Sequence, residues 1–400
     1  MPLEKIVMSA KAPLINDLSP ELADTFPEEH KMPDLLDHNP LSNPKGVKYD
    51  CEICSRESHL QCSYCKRTFY CCIEHQQMDW ESVHSKLCPY IAALRSNPPV
   101  LSTQEERQSR TQSIVNTKKF LLQICKNQAL KHLHDNKPEL AHPAGLQALK
   151  YATEVYGPTA LELVPAYLLL TEANIAARLL DKAQEHLCQA KWILLQHPNA
   201  DPALKAQHAR NFGKLYTAQK KYDKALRHLA QDVYYTALRK GPDHIETSVG
   251  LYLMGNVFIE QGDQESADSM FSKVLAVWTP FLQGCIEPVF SDGEVSLPSD
   301  WNENMAKLAQ QILRKIVEAQ TDIHDKVHIA VAQAIFANGL LNCVLGDWKE
   351  AFKLLASASQ MFELTAGSEH SLTRESHKYL QLAQRKKAAF MAMEEDEDTF

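Results

Sequence analysis

Positive charge is scarce in this 400-residue chain, with 42 Lys and Arg against 50 Asp and Glu and a formal net charge of −8. Nucleic-acid backbones are gripped by clustered cations. No such cluster is present, which argues against nucleic acid as a partner. A Gly-rich phosphate loop, a Gly-x-Ser-x-Gly elbow and a His-Glu-x2-His pair are all missing, so the common nucleotide-binding and hydrolytic signatures are absent. There is no run of about 18 consecutive apolar residues, the length that spans a bilayer, and no membrane partner is expected. The opening residues Met1–Asp17 lack the apolar core and small-residue cleavage site of a signal peptide. The expectation is therefore a cytoplasmic protein in a reducing compartment, where its 11 cysteines are not disulfides. Seven of the 11 (Cys51, Cys54, Cys62, Cys65, Cys71, Cys72 and Cys88) crowd into one short segment, and that crowding points to metal.

Around that segment the chain reads as five stretches. Residues 1–46 are rich in Pro, Asp, Glu and Ser without helical periodicity, and are expected to form a disordered leader. The Cys-rich stretch fills 50–88. Ser102 or Thr103 is placed to cap a connecting helix over 102–135. From 144 to 385 one helix follows another, with a loop expected at 279–300 where Pro280, Pro288, Gly293 and Pro298 fall. Residues 386–400 end in Glu394–Asp398, a solvated acidic tail.

The candidate ligands are Cys51-x2-Cys54-x7-Cys62-x2-Cys65-x5-Cys71-x3-His75-x8-His84-x3-Cys88. Zinc takes four N or S ligands in a tetrahedron, so these eight residues make two closed sites. Each Cys-x2-Cys turn offers two thiolates to one ion. Cys71/His75 and His84/Cys88 are each four residues apart, one face of a helical turn. Spacing alone allows sequential pairing, with Cys51, Cys54, Cys62 and Cys65 on one ion. It equally allows an interleaved pairing. His59 is read as solvent-exposed and Cys72 as a spare thiol. Fewer than 50 residues bury too little apolar surface to fold alone, and two structural Zn²⁺ would supply the missing stability.

The run Tyr70-Cys71-x3-His75-Gln76-x2-Asp79-Trp80-x3-His84-x3-Cys88 resembles the second half of a MYND finger. The resemblance implies interleaved sites: Cys51, Cys54, Cys71 and His75 on one ion, Cys62, Cys65, His84 and Cys88 on the other. It departs at His75, where the family usually has Cys; imidazole ligates zinc as well as thiolate does. MYND fingers take Pro-containing peptides along a shallow groove, and Gln76 and Trp80 match that groove's positions.

Small residues keep a period of 42 through the helical stretch. Ala183, Ala225, Ala267, Ala309 and Ala351 are evenly spaced, each followed by Leu or Phe four residues on. Phe212-Gly213, Met254-Gly255 and Gly339 precede three of them at matching offsets. Small residues let paired helices approach while Tyr, Phe and Leu fill a stacked core, so the pattern resembles a tetratricopeptide repeat. The repeat is longer than usual, like that of kinesin light chains. The expected architecture is mostly α: a small two-zinc finger, then a tetratricopeptide-like solenoid. In this register Leu168, Glu172, Arg210, Lys214, Tyr252, Asn256, Phe336 and Leu340 are expected to line its concave face.

Three functions compete for these residues. A protein-lysine methyltransferase, which in one family joins a MYND finger to a SET domain, would need over a hundred β-rich residues that are not present. A nucleic-acid-binding zinc protein would need a basic face. The reading that stands is a non-enzymatic protein–protein adaptor or scaffold. The order finger, connecting helix, long repeats, with Leu161–Leu170 leading the first clear repeat, is similar to a family of MYND-and-tetratricopeptide proteins of motile cilia and sperm flagella. That resemblance implies an axonemal location and tetratricopeptide partners. The alternative is a nuclear or cytosolic peptide-binding adaptor in transcriptional regulation.

Overall fold

A computed structural model describes residues 32–95, 102–324 and 326–397, apart from residues 40, 42, 44, 292 and 300. Residues 1–31 of the leader expected over 1–46 lie outside the described residues. The chain divides into two compact units, Met1–Asn199 and Ala200–Phe400.

The first unit begins with a three-stranded antiparallel sheet, β1 (Leu35–Asp37), β2 (Leu60–Cys62) and β3 (Phe69–Tyr70), in the order β1-β2-β3. The strand β1 falls inside the stretch expected to be a structureless leader. It pairs Leu35 with Cys62, Leu36 with Gln61 and Asp37 with Leu60, so the finger recruits residues upstream of its first ligand. Next come α1 (Ile73–Asp79), a π-helical turn at Trp80–His84 and α2 (Ser85–Arg95). Four helices complete the unit: α3 (Gln104–His134), α4 (Pro138–Tyr156), α5 (Val164–Ala176) and α6 (Leu180–Gln196). The helix α3 starts in a capping box: Thr103 Oγ1 accepts from Glu106 N and the Glu106 carboxylate accepts from Thr103 N, both at 3.1 Å.

The second unit holds α7 (Pro202–Ala218), α8 (Tyr222–Lys240), α9 (Ile245–Gln261), α10 (Gln264–Ile286), α11 (Glu303–Ile323), α12 (Ile329–Leu345), α13 (Trp348–Ala366) and α14 (Ser371–Glu397). Within each unit sequence-neighbour helices pack as pairs, and successive pairs pack on one another, α4 on α5 in the first unit and α8 on α9 in the second, the nearest-neighbour stacking of a helical repeat. The 42-residue period is a packing period. Ala183, Ala225, Ala267, Ala309 and Ala351 are all fully buried, as are Leu187, Leu229, Phe271, Leu313 and Leu355 four residues on. A Cβ added at Gly213 would lie 2.5 Å from Leu229, and one at Gly255 2.5 Å from Phe271. Glycine at those crossings is a steric requirement.

A second signal with the same period is visible only in the backbone. Asn136, Arg178, Lys220, Gly262 and Gly346 have φ of 56, 60, 57, 81 and 83°. They recur one repeat apart, with one slot skipped before Gly346, and each ends the first helix of a pair. At every one the amide bonds back three residues and the next amide reaches back five, as Arg178 N to Ile175 O at 3.0 Å and Leu179 N to Asn174 O at 2.8 Å. This is the Schellman closure of a helix. Asn136 belongs to the series, so α3 and α4 form the first pair. The helix expected to be a connector over 102–135 is half of a repeat, and the repeats begin before residue 144.

Two further expectations change. The loop at 279–300 shrinks, because α10 runs through Pro280 to Ile286 and a 3₁₀ turn follows at Glu287–Ser291. Ser296 N bonds to Cys285 O at 2.9 Å and straps the remaining loop back onto α10. With no first helix in that slot, α12 packs directly on α10, and α11 lies mainly against α12. At the C-terminus, α14 extends through most of the acidic stretch 386–400, to Glu397. Among the described residues α10 is also long and apolar enough, by length and composition, to cross a membrane, although no continuous apolar run is present. Its apolar side chains, among them Phe271, Val274, Trp278 and Leu282, are the core of the second unit.

Candidate metal centre

The ligands are positioned by three local devices. Both Cys-x2-Cys turns end in a residue of positive φ, Ser55 at 55° and Lys66 at 50°. Ser55 N bonds to Cys51 O at 2.9 Å and Lys66 N to Cys62 O at 3.0 Å. Non-glycine residues hold that conformation at a cost of about 1–2 kcal/mol each. A structural zinc contributes on the order of 10 kcal/mol and outweighs it. The third device is the helix from Ile73 to Arg95, which carries His75, His84 and Cys88. Its π turn at Trp80–His84 adds a residue between the two ligand pairs and turns His84 inward. Single π turns recur at sites of this kind.

The sulfur and ring-nitrogen atoms converge in two groups, Cys51/Cys54/Cys71/His75 and Cys62/Cys65/His84/Cys88, each with all ligand atoms within 4.8 Å of one another. This is the interleaved arrangement. In the first group, His75 Nδ1 lies 3.4 Å from Cys51 Sγ and 3.2 Å from Cys71 Sγ, and Cys54 Sγ lies 3.5 Å from Cys71 Sγ. In the second, Cys62 and Cys88 sulfurs are 3.8 Å apart, as are Cys65 Sγ and His84 Nε2. Zn–S bonds of about 2.3 Å put tetrahedral sulfurs roughly 3.8 Å apart, so both donor sets fit one zinc each. Four ligand atoms saturate each ion and leave no place for water, the mark of a structural site.

The two sites differ in burial. All four ligands of the second are buried, whereas Cys54, Cys71 and His75 of the first are half-exposed. The inner site also has an outer shell. Tyr70 Oη donates to Asp79 Oδ2 at 2.7 Å, and that oxygen lies 3.9 Å from His84 Nδ1. With Nδ1 turned toward a buried carboxylate, Nε2 is left for zinc. At the outer site, Arg56 Nε donates to Cys54 Sγ at 3.4 Å. Spacing gave no sign of this Arg. The roles of Tyr70 and Asp79 were legible only as motif positions. Cys72 stays outside both groups, 3.8 Å from the Cys71 sulfur.

Gln76 and Trp80 occupy different settings. Gln76 is buried, and its Nε2 donates to the carbonyl of Pro33 at 2.8 Å. Trp80 is half-buried with its ring edge-on to His84, centroids 5.8 Å apart.

The finger is clasped by the first helix pair. Glu52, inside the Cys51/Cys54 knuckle, accepts from Lys150 Nζ at 2.8 Å and from Gln147 Nε2 at 3.0 Å, both on α4. Ser82 in the π turn donates to Leu140 O at 2.6 Å, and His132 Nε2 lies 2.9 Å from Ser82 O. In the repeats, three of the eight residues expected to line a concave strip are core, and Glu172, Arg210, Lys214, Tyr252 and Asn256 are half-exposed. Leu168, Phe336 and Leu340 are buried, and Arg210 is held by a buried partner, Asp232.

Two known protein families match parts of this chain. The MYND finger family matches residues 51–88 and a tetratricopeptide repeat family matches 204–279. Egl nine homolog 1 of Mus musculus is 43% identical over 59 residues, 14% of this chain and 14% of that protein. Egl nine homolog 1 of Homo sapiens is 49% identical over 39 residues, 10% of this chain and 9% of that protein. The chain therefore spans about a seventh or less of the length of these curated relatives. Among solved structures, the apo form of RapI aligns with a TM-score of 0.35 at 14% identity, covering 68% of this chain and 73% of that one. Residues 51–88 are a MYND zinc finger with two structural zinc sites, and the chain joins that finger to a tetratricopeptide-repeat region.

Proposed function

We propose that this protein is a non-enzymatic adaptor within a ciliary or flagellar axonemal complex, using finger and repeats as two protein-recognition surfaces. The observation that carries the adaptor reading is the pairing of two interaction modules on one chain. Saturation of both zinc sites supports a structural metal. The axonemal location is supported by the resemblance of the whole order of elements to ciliary MYND-and-tetratricopeptide proteins, and it implies a cytoplasmic chain with other repeat proteins as partners.

The test is affinity purification from ciliated tissue followed by mass spectrometry, with the intact chain and a Cys62→Ser variant as baits. Axonemal proteins recovered with both baits assign the docking to the repeats. Axonemal proteins lost with the variant, while helices α5 to α14 stay folded, assign it to the finger. Recovery of transcriptional regulators in place of axonemal proteins would favour the nuclear adaptor. Recovery of neither would overturn the ciliary reading.

A further inference from the structure

We infer that the finger's peptide-binding edge is occupied by the chain's own segment Met32–His38, which an external Pro-x-Leu strand must displace. This rests on the adaptor reading and deepens it by naming the device that gates the finger, the chain's own upstream strand.

The segment is held as a bound peptide would be. In the antiparallel ladder the hydrogen-bonded pairs alternate. Ser63 N bonds to Asp34 O at 3.0 Å and His38 N to His59 O at 2.7 Å, which makes Leu36/Gln61 the bonded pair between them. Gln76, on α1 and buried, adds a fourth point by donating to Pro33 O. Side chains at alternate positions share a face: Pro33 and Leu35 are half-buried, whereas Asp34 and Leu36 are exposed. The edge therefore reads backbone at four places and side chains at two, a Pro followed two residues later by a Leu. Main-chain bonding for affinity, with alternate side chains for selectivity, is β-augmentation.

The segment is also built to leave. A strand of three residues at the margin of a sheet is marginal by itself, and Leu36 keeps 42% of its surface exposed. Its departure would bare one edge of β2, a template for another strand. What holds it is tethering. Only residues 39–49 separate it from the bridge between Asp50 and Glu57, a length that gives an effective concentration on the order of millimolar. A free strand of the same chemistry is weakened by the fraction of time the edge is covered.

The test uses the zinc-loaded full chain and a fluorescent peptide of residues 30–40. A Leu36→Pro variant removes the amide at the central pair while costing little buried surface. The peptide is expected to bind this variant at least 10-fold more tightly than the intact chain, and Gln76→Ala in the same background should abolish the gain. Equal affinity for intact chain and variant would overturn self-occupancy. No binding to a variant that retains two zinc would overturn it as well. Hydrogen exchange on the unmodified chain is independent of any folding defect. Excess free peptide should speed exchange of the tethered Leu36 and His38 amides, and unchanged rates at saturating peptide would sink the idea. All of these are purified-component measurements, so they fail separately from recovery of axonemal proteins.

Discussion

At the scale of single residues, the repeat shows where the sequence breaks its own rule. The slot filled by Ala190, Val274, Ile316 and Ala358 in other repeats holds Asp232, with its side chain fully buried. Arg210 answers it with Nε to Oδ2 at 2.8 Å and Nη2 to Oδ1 at 3.1 Å, a bidentate pair. Removing one member strands the other charge, so Asp232→Ala should destabilise the second unit by about 3 kcal/mol. Restoring the apolar pair with Arg210→Leu and Asp232→Val together should recover most of that, read as urea midpoints. A second residue sets a pH limit. Burial, with Lys182 and His186 nearby, holds His142 of α4 down at about 4. An unfolded His takes its proton near pH 6.5. Stability present above that pH is lost as pH falls toward 4, on the order of 3 kcal/mol in all. Zinc release in acid would also destabilise the chain, so the measurement is the difference between wild type and His142→Leu at each pH. The variant should lose less stability between pH 7 and 4.5.

At the scale of elements, the turn inside each pair gives a matched experiment. Lys220 and Gly262 hold the same left-handed position in consecutive pairs, and a Cβ at Gly262 would touch nothing within 4 Å. Only backbone preference separates them. Lys220→Gly should stabilise by up to about 1 kcal/mol and Gly262→Ala should destabilise by a similar amount, measured by thermal unfolding. The same turns explain what the sequence allowed. The buried alanines and crossing glycines carried the 42-residue period openly, because only small side chains fit there. The αL turns did not, because Asn136, Arg178 and Lys220 tolerate the conformation where glycine would have announced it. For that reason α3 passed as a connector. The eight zinc ligands were legible because metal geometry dictates spacing. The clasp of Glu52 to α4 and the strand β1 were not, because both depend on contacts between residues far apart in sequence.

At the scale of the whole chain, the two metal sites are unequal partners in one finger. Zinc analysis should return two ions per chain, and one would contradict the eight-ligand geometry. Under a competing chelator the half-exposed outer site should empty first and the buried inner site later, giving two phases of release. Cys54→Ser should remove the fast phase alone. Cys62→Ser should lower amide protection in α3 and α4, because Ser82 and the π turn rest against them. The clasp has a consequence for the protein's lifetime. Because Glu52 sits inside the outer knuckle, metal loss there would release Gln147 and Lys150 and loosen the finger's hold on the middle of α4. A chain short of one zinc would offer proteases an entry at its N-terminal side while its C-terminal half stayed folded. Limited proteolysis under chelator should therefore cut first among residues 32–95, and metal content would govern the chain's resistance to digestion as well as the finger's shape.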